Sequence, residues 1–214
     1  NFDSTATNAV PAGWAQVGEW RGAMQCAPAY SGNNVLHWGA NTCGGQYSIS
    51  RNDDLTSPTI SIPAATTRAR FSMWHRWNMA GTVRDGLHLR VSINGAAAIE
   101  IPSAAFLTGG YTSTRLADNG DGCGTGLPYA NLGIWGGQQN TMKNTTIDLD
   151  QVCGGGTCAG KTVRFFFTGL SNCTATNDLG WFIDDVQVLT STSNTCNAPA
   201  GVSQVMTVTA TNGQ

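Results

Sequence analysis

The chain has 214 residues and a net charge of −2, with charged residues making up only 11% of it, so no basic face for nucleic acid or an anionic membrane is indicated. Apolar residues are 41%, an ordinary share for a globular protein, and no run approaches the roughly 18 apolar residues of a membrane span. The acids are lopsided, eleven Asp against two Glu, and with 27 Gly they describe a chain of turns rather than helices.

The chain opens at Asn1-Phe-Asp, without an initiator Met or a basic leader, and reads as a processed or excised piece. Residues 1–3 are expected as a short strand, followed by a polar loop to Pro11. Residues 13–20 carry Trp14 and Trp20 around a turn at Gly18, and residues 34–38 and 46–50 are short strands flanking Cys43-Gly44-Gly45. Residues 58–62 alternate. Residues 68–78 form a longer strand with Phe71, Met73, His75 and Trp77 on one face and Ser72, Trp74 and Arg76 on the other, so it is expected to be covered on both sides. Residues 86–93 alternate again, and Asn94-Gly95 turns the chain into a hairpin returning at 97–101.

Residues 108–137 are Gly-rich and poorly patterned, long enough for a functional or metal-bound loop. Within them Asp118-Asn-Gly-Asp-Gly122 lacks the ligand spacing of a calcium loop and reads as a turn. Strands are expected at 144–149, 161–168 and 181–189. Residues 190–199 read as a linker, and 200–214 as an extension or the start of a following β domain. Many short strands with turn chemistry and no helical periodicity predict an all-β chain, a two-sheet antiparallel sandwich of jelly-roll type over 1–189.

Seven cysteines indicate disulfides and an oxidising compartment, hence a secreted, extracellular or cell-surface protein. Cys153 and Cys158 form a natural local pair across three glycines. Cys26 and Cys43 bracket one strand. Cys123 and Cys173 are the third candidate pair, which leaves Cys196 over.

An ordered set of segments resembles the bacterial MAM-like modules, which include the cleaved-adhesin domains of gingipains and the accessory domains of secreted peptidases. The set comprises Phe2-Asp3, Pro11-Ala-Gly-Trp14, Leu55-Thr-Ser-Pro58, Phe71-Ser-Met-Trp-His-Arg76 and Asp85-Gly-Leu-His-Leu-Arg-Val-Ser92. It continues with Ala105 to Tyr111, Ile134-Trp-Gly136, Thr146-Ile-Asp-Leu149, Gly160 to Phe165, and Gly180-Trp-Phe-Ile-Asp-Asp-Val186. The cysteines, above all the Cys153–Cys158 insertion, depart from the usual pattern.

The resemblance implies a structural calcium ion tying the first strand to the last, with Asp3 and Asp184 at the family's carboxylate positions. Asp53 or Asp54, just before Leu55-Thr-Ser-Pro58, is a third candidate. The chemistry agrees, since calcium takes six to eight oxygens, and two aspartates within an apolar strand need a partner. Strand parity places Asp184 on the inner side with Phe182, Val186 and Val188, and Asp185 outward. The alternative is that Asp184 accepts backbone or arginine hydrogen bonds.

No motif of a hydrolase or a phosphate-binding loop is present, and His37, His75 and His88 are the only histidines. Most of the seven tryptophans read as core; Trp77, Tyr111 and Trp135 are the candidates for exposed glycan platforms. Asn144-Thr-Thr and Asn172-Cys-Thr fit the glycosylation sequon. The expected function is a non-catalytic, calcium-stabilised adhesion or accessory module of a larger secreted protein, facing an extracellular glycan or protein surface. The alternatives are a carbohydrate-binding module and a fibre subunit that joins copies of itself by strand addition.

Overall fold

The structure, a computed structural model, describes residues 2–6, 8–26, 28–79, 84–116, 130–154, 156–174 and 177–192. Two large antiparallel sheets pack face to face as a sandwich. The first sheet has the order β1 (Ala15–Gln16), β4 (Asn52–Thr56), β13 (Thr162–Leu170), β7 (Gly86–Ile93), β8 (Ile99–Glu100), with β5 (Ile60–Ser61) pairing β13. The second runs β2 (Trp20–Met24), β3 (Val35–Trp38), β14 (Gly180–Ser191), β6 (Arg68–Asn78), β12 (Gln138–Asp148), β9 (Phe106–Thr108). A small ladder joins β10 (Ser113–Thr114) to β11 (Gly133–Ile134), and the single-turn α1 (Leu149–Val152) is capped by the Asp148 carboxylate.

Alternation explains the central strands. Ala69, Phe71, Met73, His75 and Trp77 of β6 point inward, and so do Leu87, Leu89 and Val91 of β7 and Val163, Phe165 and Phe167 of β13. The hairpin turn forms as expected, with Asn94 at φ 52° and Gly95 at φ 74°, the pair of positive angles a two-residue loop requires.

Three expectations need correcting. Residues 2–5 form a turn, closed by Thr5 N–H donating to Phe2 O, rather than a strand. Residues 46–50 are not a strand either; the pairing strand is β4, which contains Asp53 and Asp54. Carboxylates disguise it, because Asp is depleted in strands. The parity of β14 is also broken. Its register slips between Asp184 and Gln187, and Asp185 sits at φ 45°. Trp181 and Ile183 face the main core before this bulge, and Val186 and Val188 face it after. Asp184 therefore shares a face with Phe182, on the outside of the second sheet.

That outer face is covered in part, as the two-sided aromatics of β6 suggested. Met24, Cys26, Val35 and Phe182 make a second small core there, with Ala29, Cys43, Met142 and Leu179 against it. The Cys26–Cys43 disulfide, Cα–Cα 5.2 Å, staples it. Cys153–Cys158 also forms, Cα–Cα 5.3 Å. Cys173 is disulfide-bonded; its expected partner Cys123 lies outside the described residues, as do Asp118–Gly122, Cys196 and most of the 190–199 linker and all of 200–214.

Candidate functional site

The loop from Pro28 to Asn34 lies over the outer face of the second sheet and is gripped from two directions. Asp184 comes up from β14 beneath it. Its Oδ2 accepts the backbone N–H of Tyr30 and of Ser31, both at 3.0 Å, and its Oδ1 accepts Asp185 N–H at 2.8 Å. Asp3 arrives from the start of the chain. Its Oδ1 accepts Asn33 N–H at 2.8 Å and Asn34 N–H at 2.9 Å. The structure thus brings Asp3 and Asp184 to one loop; Ser31 N and Asn33 N, two residues apart, are separated by no more than about 7 Å. Ser31 Oγ adds a bond to Asp185 Oδ1 at 2.9 Å.

Gly32 allows this grip. Its φ is +60°, and a Cβ there would run into the Asp3 carboxylate. Asn34 completes the frame, its Nδ2 donating to Phe2 O and Thr5 O at 3.4 Å. Its Oδ1 is buried and has no hydrogen-bond partner among the described residues.

The two carboxyls differ electrostatically. Backbone donation from Asn33 and Asn34 holds Asp3 below the usual carboxylate range. Burial pushes Asp184 above it; the donors on Ser31, Asp185 and Tyr30 pull it back, and the Asp185 charge pushes it further up. The alternative read from sequence is realised for the backbone half: Asp184 takes three N–H bonds and no arginine among the described residues.

Asp53 and Asp54 lie elsewhere, on β4 of the first sheet, each with an arginine. Asp53 Oδ2 accepts Arg51 Nε at 3.1 Å, Trp38 Nε1 at 3.1 Å and Glu19 N–H at 2.9 Å. Asp54 binds Arg90 Nη2 at 2.7 and 2.9 Å and Thr168 Oγ at 2.6 Å. These arginines supply the positive charge for which a metal was invoked. Asp53 bonds the Trp38 end of β3, whereas Asp3 bonds the Asn34 end, about 13 Å away along an extended strand. Neither aspartate joins the Asp3 and Asp184 pair. Among the described residues no three His, Cys, Asp or Glu side chains converge as a metal-holding group.

Two of the expected aromatic platforms, Trp77 and Trp135, are buried. Trp77 is 2% exposed and Trp135 0%, and their Nε1 groups donate to Gly136 O and to Gly109 O and Gly110 O. Tyr111 packs on Trp135 with ring centroids 4.7 Å apart and ties its hydroxyl to the backbone of Leu89; burial pushes its phenol far up. It borders an open polar pocket of about 470 Å³ that Glu100, Ser103, Thr112 and Asn131 also line. β6 carries aromatics on both faces, and parity cannot say which face the second sandwich layer covers.

The exposed aromatic pair is a different one. Tyr30, 50% exposed, stacks on the half-buried Trp74 with centroids 3.7 Å apart and planes within 7°. The loop Tyr30-Ser-Gly-Asn-Asn34 is the signal that sequence reasoning passed over: an aromatic set in a run of turn residues. Both sequons are occupied by structure. Asn144 Nδ2 donates to Ser72 Oγ and Met73 O, and Asn172 is 3% exposed with its N–H on buried Asp85.

All three histidines are fully buried and neutral. His75, between Trp181 Nε1 at 3.0 Å and Thr145 Oγ at 2.9 Å, is pushed down to about 3 by burial. His37 donates to Leu179 O and His88 to Gly133 O, both at 2.7 Å, and burial brings each to about 4.

No family description and no curated protein matches the chain. Among solved structures it is similar to the K3 cleaved adhesin domain of Lys-gingipain from Porphyromonas gingivalis W83, at 14% identity and TM-score 0.38 over 85% of this chain and 94% of that one. It is similar to the K1 domain of the same protein at 15% identity and TM-score 0.38, over 83% and 94%. The catalytic domain of Agl-KA aligns at 15% identity and TM-score 0.29, over 88% of this chain and 28% of that one. Likenesses at these scores carry no argument about what the chain does. No helix among the described residues is long and apolar enough to cross a membrane.

Proposed function

We propose that the chain is a non-catalytic, calcium-stabilised adhesion or accessory module of a larger secreted protein. The observation that carries this reading is the double grip on the 28–34 loop, with Asp184 at 0% exposure and bonded only to backbone N–H groups among the described residues. A buried carboxylate pushed upward by burial and by a neighbouring carboxylate is a group that a bound cation would stabilise. Asp3, Asp184 and the Asn34 Oδ1, which has no hydrogen-bond partner among the described residues, are hard oxygens of the kind calcium takes, with backbone carbonyls to fill the remaining positions. The residues present fit such an ion, which would fasten the chain start to the last strand through the loop.

The rest of the molecule supports a binding rather than a catalytic role. Its histidines are enclosed and structural. Glu19 serves Ser48 N–H, and Glu100 serves Gly133 N–H. Oxidised cysteines and low charge suit an extracellular site. Isothermal titration of the EDTA-stripped chain with calcium tests the metal reading: one site is expected, abolished in Asp3→Ala. Absence of binding heat, together with an unchanged amide spectrum in NMR, would refute it.

A further inference from the structure

We infer that the outer face of the second sheet around Tyr30 and Trp74 is a carbohydrate-binding surface, presented by the same loop that Asp3 and Asp184 hold. Its position follows from the bulge at Asp185, which turns Asp184 outward beneath the loop and so sets Tyr30 over Trp74. The Tyr30 N–H bond to Asp184 holds the backbone and the stack on Trp74 holds the ring, so little side-chain ordering remains to oppose binding. Among the described residues, neither the Tyr30 hydroxyl nor Trp74 Nε1 has a hydrogen-bond partner in the protein.

The rows beyond the ring are polar except for Leu189. Thr146, Ser72 and Gln187 lie side by side across β12, β6 and β14, and Asp148, Arg70 and Leu189 form the next row. Successive rows on one face are about 7 Å apart, so the surface running from Tyr30 is long enough for a short oligosaccharide. Thr108, Thr146 and Ser72 share bonds with Asn144, which keeps that side of the surface rigid.

The chemistry selects the occupant. A sugar ring has an apolar C–H face and a rim of hydroxyls. A stacking ring flanked by amide, hydroxyl and guanidinium groups matches both. Nucleic acid would need a run of positive charge, and here Arg70 stands across the ladder from Asp148 in a chain of net charge −2. A protein partner would need a broader apolar area than one ring pair among polar side chains supplies.

The ligand reading rests on the proposed module function, yet it is separable from its calcium part. The test is binding of the full chain to insoluble cellulose, chitin and xylan and to soluble β-glucan and mannan, followed by tryptophan fluorescence. Wild type is expected to bind at least one of these. Tyr30→Ala should weaken binding about tenfold or more with an unchanged melting temperature, and Tyr30→Phe should retain most of it. Calcium stripping should weaken binding while shifting the melting temperature. Binding that survives Tyr30→Ala and Trp74→Ala, or that is lost instead on Asn131→Ala in the polar pocket, overturns the assignment, as does failure to bind any of these glycans. If calcium leaves the melting temperature unmoved while Tyr30→Ala still abolishes binding, the metal reading fails and the sugar surface stands.

Discussion

Two aromatic groups lie back to back across β6. On the inner face His75 sits among Trp77, Trp135 and Trp181, with centroids 4.8, 4.8 and 5.9 Å from its own. On the outer face Trp74 lies under Tyr30. The residue types are nearly the same, and Trp74 is one position from His75. What differs is the fate of the polar atoms. Inside, every indole N–H has an acceptor: His75, Gly109, Gly110 or Gly136. Outside, the indole N–H and the phenol have no hydrogen-bond acceptor among the described residues. The inner group is structural because its polar demands are closed; the outer one is available because its demands are open.

Lowering the pH should have the largest effect, acting on His75 of the inner face and also on His37 and His88, which are buried on the outer sides of the two sheets. Each buried histidine is held below its ordinary value of 6.5, so the unfolded chain takes up protons that the folded one refuses. Stability is therefore full above pH 6.5 and falls as pH drops toward 4, at about 1.4 kcal/mol per pH unit for each histidine. Asp85 and Asp184, whose values are raised, act in the opposite sense and soften the slope. Urea titrations between pH 7 and 4 measure it; a flat profile would show that the histidines do not stay neutral. Next comes Trp181→Ala, expected to cost about 3–5 kcal/mol by opening a cavity and orphaning His75 Nδ1.

On the outer face the effects shrink. Replacing Cys26 and Cys43 by Ser opens a staple spanning 17 residues and should cost about 3 kcal/mol by chain entropy, read by denaturant melts. Tyr30→Ala should change stability by less than about 0.5 kcal/mol, since half of the ring is already in solvent. A large loss there would mean that the outer aromatic pair is core after all.

How far the sequence carries depends on where its periodicity holds. Residues 68–78 and 86–93 and the Asn94-Gly95 turn are legible because alternation and turn chemistry are local. The sandwich follows from them. The site is less so. Asp3 and Asp184 both bond the 28–34 loop, and that loop is not legible in the sequence, because its backbone N–H groups carry no side-chain signature. Asp184 was put on the wrong face because one bulge residue at Asp185 reverses parity, and nothing in Asp184-Asp185-Val186 marks the slip. Asp53 and Asp54 gained their arginines from Arg51 beside them and Arg90 across the sheet, a pairing that only the β4–β13–β7 order creates.

The measurement that bears most directly on the clamp is thermal melting of wild type and Asp184→Asn, each in EDTA and in millimolar calcium. At a calcium concentration about 100 times its Kd, binding adds about 2.7 kcal/mol, which for a domain of this size raises Tm by roughly 5–10 °C. Wild type should show that rise. Asp184→Asn should melt slightly lower in EDTA, by about 1–2 kcal/mol for a disturbed backbone grip, and should not respond to calcium. Identical melting of wild type with and without calcium would contradict the clamp, leaving Asp184 as an acceptor of backbone hydrogen bonds and nothing more.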